Sequence, residues 1–321
     1  MTALTYAAAS RRAVAEEMRR DPRVWALGED LGRGGVFGQY QGLAEEFGPE
    51  RVVDTPISEA AILGTAVGAA LVGTRPIVEM RFSDFALCAV DELVNQAAKN
   101  RYMFGGQGRV PVVVREPIGL WRSSAAQHSQ SLEAWYAHVP GLVVVTPTTP
   151  ADNYALMKAA IRCDDPVVYM EHKDLWPLEG PAPADDAPAE IGRARVERRG
   201  GDLTLVTYSK MLYAAREAAD TLAGMSISVE LIDLRSIWPW DRDCVQASAA
   251  RTGRLLVAHE AVQAAGFGAE IVASVAEATG ARVQRVGAPR ISVAYSPPLE
   301  EEFRVGASDI VSAAQALLAR S

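Results

Sequence analysis

Cysteine is scarce in this chain, and no two cysteines stand close together. Three of the 321 residues are cysteine, namely Cys88, Cys163 and Cys244. A disulfide-stapled fold and a zinc site built from thiolates both need several cysteines at short spacings, so both are excluded. The pattern is typical of a protein from a reducing compartment.

Long apolar runs and targeting signals are also missing. The most apolar stretch, Ala60 to Gly73, is shorter than the roughly 20 residues that span a bilayer. Residues Met1 to Tyr6 have neither the basic nor the apolar region of a signal peptide. We therefore expect a cytoplasmic protein that does not cross a membrane.

Positive charge is in the minority. The chain has 32 Lys and Arg against 40 Asp and Glu, a formal net charge of −8, and no long basic run. A nucleic-acid binder needs clustered Lys and Arg to displace counterions, so we expect no nucleic-acid partner. With 49% hydrophobic and 22% charged residues the composition is globular, and the length suits two domains.

Motifs that mark several common enzyme classes are absent. The sequence has no Gly-x-x-x-x-Gly-Lys-Ser/Thr phosphate loop and no Gly-x-Ser-x-Gly nucleophile elbow. His259-Glu260 lacks the second histidine of a zinc-protease helix, and Gly266-Phe267-Gly268 lacks the third glycine of a dinucleotide fingerprint. We interpret these glycines as the entry to a helix.

Short runs of Val, Ile and Leu alternate with longer helical patterns, which indicates parallel sheets covered by helices on both faces. We predict an α/β fold with two doubly wound, mostly parallel sheets. The predicted strands are 75–80, 110–115, 142–146, 167–171, 203–208, 229–234, 255–259 and 283–286. The predicted helices are 6–19, 59–72, 85–102, 151–162, 212–223, 244–250, 269–278 and 309–319.

A proline-rich segment separates the two halves. Four prolines and a closing glycine pair fall between residues 177 and 201, and proline bars a regular helix or a central strand. We predict a first domain over 1–176 and a second over 202–321. The connector over 177–201 is expected to lead into an edge strand near 194–198.

Glu59 opens a helix of small and apolar residues that we expect to be buried on all sides. Two interpretations of this carboxylate stay open on composition alone. As an acid in a first helical turn, it complements the positive end of the helix. As an acid in a dry site, it exchanges or shares a proton with a ligand.

His128 lies in a polar segment of small residues, 125–131, between two apolar strands. It is either a ligand-binding side chain, as loops after strands of α/β sheets provide, or a surface histidine bonded to nearby hydroxyls. A second polar set recurs at helical spacing and is either a solvated helix face or a partly buried stripe. Its members are Asp84, Cys88, Asp91 and Asn95.

Many further short motifs follow one another along nearly the whole chain. They include Gly28-Glu29-Asp30, Asp54-Thr55-Pro56-Ile57-Ser58-Glu59-Ala60, Arg75-Pro76-Ile77-Val78-Glu79, Gln127-His128-Ser129-Gln130-Ser131-Leu132-Glu133-Ala134, Asp233-Leu234-Arg235 and His259-Glu260-Ala261. In this order they resemble the β subunit of the thiamine-diphosphate-dependent decarboxylating component of 2-oxo acid dehydrogenase complexes, including acetoin dehydrogenases. That family implies a pyrimidine-binding domain followed by a transketolase-type C-terminal domain.

The resemblance implies roles for individual residues. Glu59 matches the carboxylate that bonds the aminopyrimidine ring of thiamine diphosphate and shares a proton with it. Phe85 matches the aromatic side chain that stacks on that ring, and Ile57 a contact beside it. His128 matches a histidine that steers the substrate or the incoming lipoyl group. Asp91 matches an acid that lines a polar passage between paired active sites.

The resemblance also implies what another chain supplies. Related thiamine enzymes hold the diphosphate through Mg²⁺ with a Gly-Asp-Gly motif and a later Asn, and this chain has no Gly-Asp-Gly. We therefore expect an α subunit to hold the Mg²⁺, in an assembly of two α and two β chains. A loop near residues 160–165 resembles a monovalent-cation site for K⁺. The ligands implied there are Val112, Ala160, Cys163 and Asp165.

We hypothesise oxidative decarboxylation of a 2-oxo acid, or cleavage of acetoin, with acyl transfer to a lipoyl acyltransferase. The alternatives are a two-chain transketolase-like or acyloin-forming enzyme with another acceptor, and a noncatalytic scaffold. Departures from the family pattern concern the substrate. Trp121 and Arg122 stand where relatives have part of a glycine run, and they either reshape the entrance to the site or make the loop more ordered. Arg81 adds a positive charge in a cofactor-adjacent position, where it would favour an anionic or polar substrate.

Overall fold

A computed structural model describes residues 3–183 and 186–319 of the chain. The chain divides into two compact units, neither of which is one continuous stretch. The first unit runs up to Ile118 and resumes over Trp135–Ile191. The second unit takes Gly119–Ala134 and continues from Gly192. The boundary at residue 191 lies inside the predicted connector, but no sequence pattern indicated that 119–134 belongs to the second unit.

The first unit is built on short strands, and the central strands of its sheet are buried. Its strands are β1 (Ala3–Thr5), β2 (Val24–Gly28), β3 (Val52–Asp54), β4 (Arg75–Glu79), β5 (Val113–Arg115), β6 (Val143–Val145), β7 (Val167–Tyr169) and β8 (Glu179–Pro181). Its helices are α1 (Tyr6–Arg20), α2 (Leu43–Phe47), α3 (Glu59–Leu71), α4 (Ser83–Ala86), α5 (Ala98–Met103) and α7 (Pro150–Arg162), and the short α6 (Glu133–Ala137) spans the unit boundary in sequence.

Six strands described in the first unit pair in parallel in the order β6-β7-β5-β4-β2-β3, and β1 and β8 form a separate antiparallel ribbon. The central strands are runs of valine because helices cover both of their faces. The register aligns their carboxyl ends: Gly28 lies beside Asp54 and Glu79, and Glu79 lies beside Arg115. The residues that follow these ends therefore meet at one edge of the sheet.

Gly28 is required for this close register. Its φ is +150°, and a Cβ there would lie 2.8 Å from the backbone oxygen of Glu79. Because no larger residue fits that gap, the glycine lets β2 approach β4 at the edge where the site is formed.

The second unit contains a five-stranded sheet in the order β14-β13-β10-β11-β9, with β9 antiparallel at the edge. Its strands are β9 (Arg195–Arg198), β10 (Leu203–Thr207), β11 (Val229–Asp233), β12 (Ser236–Trp238), β13 (Arg254–Val262) and β14 (Arg282–Ala288). Its helices are α8 (Met211–Gly224), α9 (Arg242–Thr252), α10 (Gly268–Thr279), α11 (Pro297–Phe303) and α12 (Ala307–Ala319). The predicted fold class, its eight strands and the edge strand near 194–198 are confirmed.

Two local predictions were wrong. The predicted continuous helix over 85–102 is instead α4, a 3-10 turn, a π-helix over Glu92–Ala97 and then α5. The helix that begins at Glu59 is buried along one face only. Its other face is exposed, with Val72 just beyond its end 83% exposed. The prediction failed because small residues occur on every side of this helix, so its sequence shows no contrast between a buried and an exposed face.

None of the helices within the described ranges is both long enough and apolar enough to cross a membrane.

Candidate functional site

Glu59 is the first residue of α3, at the carboxyl edge of the first sheet. The chain leaves β3 at Asp54 and reaches α3 through a short loop in which Ile57 is 77% exposed. Glu59 itself is partly buried, and its charge acts on the neighbouring carboxylate of Glu29. A carboxylate at this position faces the positive end of its own helix and a second acid across the loop.

A guanidinium lies among these acids. Nη1 of Arg81 donates to Oδ2 of Asp30 at 2.5 Å and to Oε2 of Glu29 at 3.5 Å. Arg81 has a φ of 58°, and its backbone N–H donates to Oε1 of Glu79 at 3.3 Å. Its charge is therefore compensated by two carboxylates, which weakens the expectation that it favours an anionic substrate.

The pKa of Glu29 shows the balance of forces in this cluster. Burial raises the pKa above its ordinary value, the Arg81 charge opposes that rise, and the nearby charge of Glu59 adds to it. An acid whose ionisation is disfavoured by burial and by a neighbouring carboxylate, as that of Glu29 is, is suited to retain a proton beside a ligand.

Phe85 offers a flat apolar surface next to this cluster in sequence. Its side chain is half-buried, and its ring meets the ring of Phe82 edge to face with centroids 5.2 Å apart. Phe82 is buried, and the ammonium of Lys173 lies 4.8 Å from its ring centroid. The aromatic side chain at 85 is thus held from behind while part of it stays accessible.

A buried acid lies behind the turn that carries Phe85. The hydroxyl of Ser83 donates to Oε2 of Glu116 at 3.0 Å, and the backbone N–H of Ser83 donates to the carbonyl of Pro117 at 2.9 Å. Glu116 is fully buried. Burial raises its pKa to about 8, the hydrogen bonds from Ser83 and Tyr136 oppose that rise, and the nearby Asp84 adds to it. Glu116 is therefore mostly protonated at neutral pH.

A second buried polar network, centred on Arg115, lies at the carboxyl ends of the central strands. Arg115 is 1% exposed, and its Nη2 donates to Glu171 at 2.5 Å and to the hydroxyl of Ser10 at 3.2 Å. Glu79 lies 3.8 Å from the same guanidinium, and burial raises its pKa to about 7 against the attraction of Arg115. Since Glu79 also accepts from Arg81, this network links the core to the carboxylate cluster.

His128 belongs to the second unit, in the segment 119–134. It is partly buried, and its backbone N–H donates to the carbonyl of Ala125 at 3.3 Å. The same segment contains Glu133, which accepts from the hydroxyl of Tyr208 at 2.8 Å. Burial raises the pKa of Glu133 to about 7.

The members of the polar set that begins at Asp84 differ in burial. Asp84 is buried, whereas Cys88, Asp91 and Asn95 are exposed. The carboxylate of Asp91 accepts from Nδ2 of Asn95 at 2.7 Å and from Nε2 of Gln96 at 3.3 Å. These hydrogen bonds hold the pKa of Asp91 below its ordinary value. Asp91 is thus a charged surface residue within this chain.

The residues around 160–165 do not fit a monovalent cation. Nη1 of Arg75 donates to the carbonyls of Ile161 and Cys163, both at 3.0 Å. The side chain of Asp165 accepts from Arg101. A guanidinium on the Cys163 carbonyl repels a second cation, so no role is derived from K⁺.

The remaining implied ligands each accept one backbone hydrogen bond, which leaves a second lone pair on each carbonyl oxygen. The carbonyl of Val112 accepts from the N–H of Val167 at 2.9 Å, and the carbonyl of Ala160 accepts from the N–H of Cys163 at 3.2 Å. Across residues 3–183 and 186–319, no group of three or more His, Cys, Asp or Glu side chains is arranged to hold a metal ion.

Comparison with known proteins identifies the family to which the chain belongs. Residues 2–179 match the pyrimidine binding domain of transketolase, and residues 192–310 match the transketolase C-terminal domain. The chain is 41% identical to the 2-oxoisovalerate dehydrogenase subunit beta of Bacillus subtilis (strain 168), over 99% of both chains. The chain belongs to the family of 2-oxo acid and acetoin dehydrogenase β subunits.

Other proteins are similar over nearly the same length. The β subunit of acetoin:2,6-dichlorophenolindophenol oxidoreductase from Cupriavidus necator is 42% identical, covering 97% of this chain and 96% of its own. The mitochondrial pyruvate dehydrogenase E1 component subunit beta-2 of Oryza sativa subsp. japonica is 43% identical, covering 97% and 85%. A solved split-gene transketolase, described as an inactive beta4 tetramer, is 25% identical with a TM-score of 0.81, covering 97% and 96%.

The carboxyl edge of this β subunit fits an aminopyrimidine ring. Such a ring has a flat face and polar nitrogens, and the edge offers the half-buried ring of Phe85, the exposed Ile57 and the carboxylate of Glu59. Within the described residues, the chain lacks the clustered oxygen ligands that a magnesium diphosphate needs.

Sequence reasoning missed several residues of this β subunit. Glu116, Glu133 and Tyr208 are buried polar side chains in or beside the elements that carry Phe85 and His128. For Glu116 a signal was present, because a carboxylate that directly follows a buried valine strand stands where α/β sheets place functional residues.

Proposed function

We propose that this chain is the β subunit of a thiamine-diphosphate-dependent 2-oxo acid or acetoin dehydrogenase, active together with an α subunit. The observation that carries the proposal is the position of Glu59. It is a partly buried carboxylate at a helix start, coupled electrostatically to Glu29, at the edge that also presents Phe85 and Ile57. The names of the relatives at about 40% identity support the same reaction class.

In this proposal the residues of the chain bind and orient the ring half of the cofactor. Thiamine diphosphate, when bound, supplies a carbon nucleophile for the 2-oxo acid and accommodates the electron pair that stays behind when carbon dioxide leaves. Phe85 would stack on the ring, and Ile57 would contact the ring beside it. The carboxylate of Glu59 would hold a proton at a ring nitrogen, with the carboxylate of Glu29 near enough to feel the charge of Glu59. Arg81 would be a second neighbour of the ring.

Other roles in the proposal concern the substrate and the assembly. His128 would steer the substrate or the lipoyl group of an acyltransferase. Asp91 would line a passage between paired sites when two α and two β chains assemble. The α subunit would supply the Mg²⁺ ligands, because this sequence has no Gly-Asp-Gly motif. The similar split-gene transketolase, described as an inactive beta4 tetramer, supports a site completed by a second chain.

The test is reconstitution with an α subunit of the same family. We expect the purified chain to decarboxylate nothing alone, and the pair to act on pyruvate, a branched-chain 2-oxo acid or acetoin. Glu59→Gln should lower turnover more than 100-fold while the two chains still assemble. The matched control Glu50→Gln alters an exposed acid and should leave turnover unchanged. Turnover by the isolated chain, or undiminished turnover by the Glu59→Gln pair, would contradict the proposal.

The second candidate is a two-chain transketolase-like enzyme that passes its acyl or ketol group to a non-lipoyl acceptor. The structural match to a split-gene transketolase favours it, although the identity is 25% against 41% for a dehydrogenase subunit. The acceptor separates the two. A pair that reduces a lipoyl acyltransferase in the presence of a 2-oxo acid is a dehydrogenase, and a pair that reacts only with aldehyde or sugar acceptors is not.

A further inference from the structure

The loop that carries His128 holds an unfavourable backbone conformation without glycine. Arg122, Ser123 and Ala125 have φ values of 44°, 58° and 61°. Residues with a Cβ adopt this left-handed region rarely, and three within four positions is unusual. Such a loop keeps its shape only where its surroundings over-determine it.

The second unit provides that support at both ends of the loop and in its middle. Before the loop, Leu120 is fully buried in the core of the unit, and its N–H donates to Oε1 of Glu260 at 2.8 Å. After it, Glu133 accepts from Tyr208. In the middle, the N–H of Ser123 donates to Oε2 of Glu300 at 2.8 Å.

The contact with Glu300 acts directly on a strained residue. Glu300 lies on α11 and is 6% exposed, and its other oxygen accepts from Nη2 of Arg304 at 3.4 Å. A buried carboxylate strongly favours keeping its hydrogen-bond donors, so it binds the Ser123 N–H in the one orientation that the left-handed backbone gives. The neighbouring hydroxyl of Ser124 donates to the carbonyl of Trp121, which closes the same turn.

We propose that Glu300 is a positioning residue for His128. Its carboxylate holds Ser123 in the left-handed conformation and so fixes the loop in which His128 stands five residues later. The catalytic part of this inference rests on the proposed function, in which His128 meets the substrate or the lipoyl group. The structural part concerns the second unit alone and is tested without an α subunit or a cofactor.

Trypsin provides the structural test, because Arg122 is exposed and the bond after it lies inside the loop. The full chain is digested under native conditions, and the fragment that begins at Ser123 is quantified by mass spectrometry. Glu300→Ala should speed this cleavage at least tenfold. Glu300→Gln keeps a carbonyl that accepts from the Ser123 N–H and should remain within threefold of the original rate. Cleavage after the exposed Arg33 in the first unit should stay constant, which excludes global unfolding.

Glu301 supplies the matched control. It neighbours Glu300 on α11, is 70% exposed, and pairs with Arg304 at 2.9 Å without a contact to the loop in the described structure. Glu301→Ala should leave cleavage after Arg122 unchanged. The inference is overturned if Glu300→Ala does not speed that cleavage, or if Glu301→Ala speeds it equally, because the loop would then not depend on the Glu300 carboxylate.

A double-mutant cycle in the reconstituted pair tests the link to His128. Glu300→Ala should lower kcat/KM about tenfold when His128 is present, and less than twofold in a His128→Gln background. An equal loss in both backgrounds would refute positioning of His128. A pair that shows no turnover with any substrate would refute the proposed function, and the trypsin result would still decide whether Glu300 fixes the loop.

Discussion

Replacing Glu116 by Gln should change how the stability of the chain depends on pH. Glu116 is fully buried behind the turn that carries Phe85, and burial raises its pKa from 4.5 to about 8. Glutamine is close in shape to the protonated acid and keeps an oxygen that accepts from Ser83. The variant therefore preserves the neutral form and removes only the titration.

The sign follows from proton linkage. The unfolded chain releases the Glu116 proton near pH 4.5, whereas the folded chain keeps it until about pH 8. The stability that the protonated acid gives is thus fully present below pH 4.5, and it is lost as the pH rises toward 8. The full interval corresponds to roughly 5 kcal/mol at about 1.4 kcal/mol per pH unit. Between pH 5.5 and 8.5 the loss is about 3 kcal/mol.

The assay is urea unfolding of Glu116→Gln and the original chain at pH 5.5 and 8.5, followed by circular dichroism. The difference in unfolding free energy between the two proteins cancels the titration of every other group. It should move in favour of the variant by about 3 kcal/mol over this range. The control Glu50→Gln, at an exposed position, should show a flat difference.

The groups that face Glu116 belong to two other elements. Ser83 and Asp84 lie on α4, and Tyr136 lies on α6; burial raises the pKa of Tyr136 far above this range. A difference that stays within about 1 kcal/mol across the two pH values would refute the reasoning. It would mean that Glu116 ionises as easily in the folded chain as in the unfolded one.

Three further predictions concern the first unit. Gly141→Ala should lower the unfolding free energy by about 3 kcal/mol or more in urea titrations, because its φ is 102° and a Cβ would lie 1.9 Å from the carbonyl oxygen of Ala98. Thr149→Ala should cost about 1 kcal/mol in the same assay, since Thr149 caps α7 reciprocally with Asp152; a loss below about 0.3 kcal/mol would contradict the capping role. Replacing KCl by NaCl at equal ionic strength should not shift the thermal midpoint, because Arg75 already binds the Cys163 carbonyl; a K⁺-specific rise would contradict this.

The eight predicted strands, the edge strand β9 and most of the long helices follow from local sequence pattern, whereas β2 and β3, which lead into the site, were not predicted. Runs such as Val143–Val145 and Val167–Tyr169 are buried on both faces, and only a covered parallel sheet accommodates them. The motif around Glu59 likewise identified the helix start and the family. Site roles for Glu59, Phe85 and His128 stay predictions until the reconstitution is done.

Two features could not be predicted: a local departure from α-helical hydrogen bonding, and a contact between residues far apart in the sequence. The side-chain contacts of Asp91 reach both four and five residues ahead, to Asn95 and Gln96, in a π-helix whose sequence is also compatible with an ordinary helix. The compensation of Arg81 by Asp30 joins two loops far apart in sequence. Periodicity carries no information about such pairings, because it records only which face of one element is apolar.

The bond between Ser123 and Glu300 also has a consequence during synthesis. Its partners are 177 residues apart, so the ribosome releases the His128 loop long before the residue that fixes it. At roughly 5–20 residues per second, the nascent loop waits on the order of ten to forty seconds. Throughout that time the carboxylate of Glu300 is not yet there to accept the hydrogen bond from the Ser123 N–H. The His128 loop therefore gains this hydrogen bond only after α11 has been synthesised.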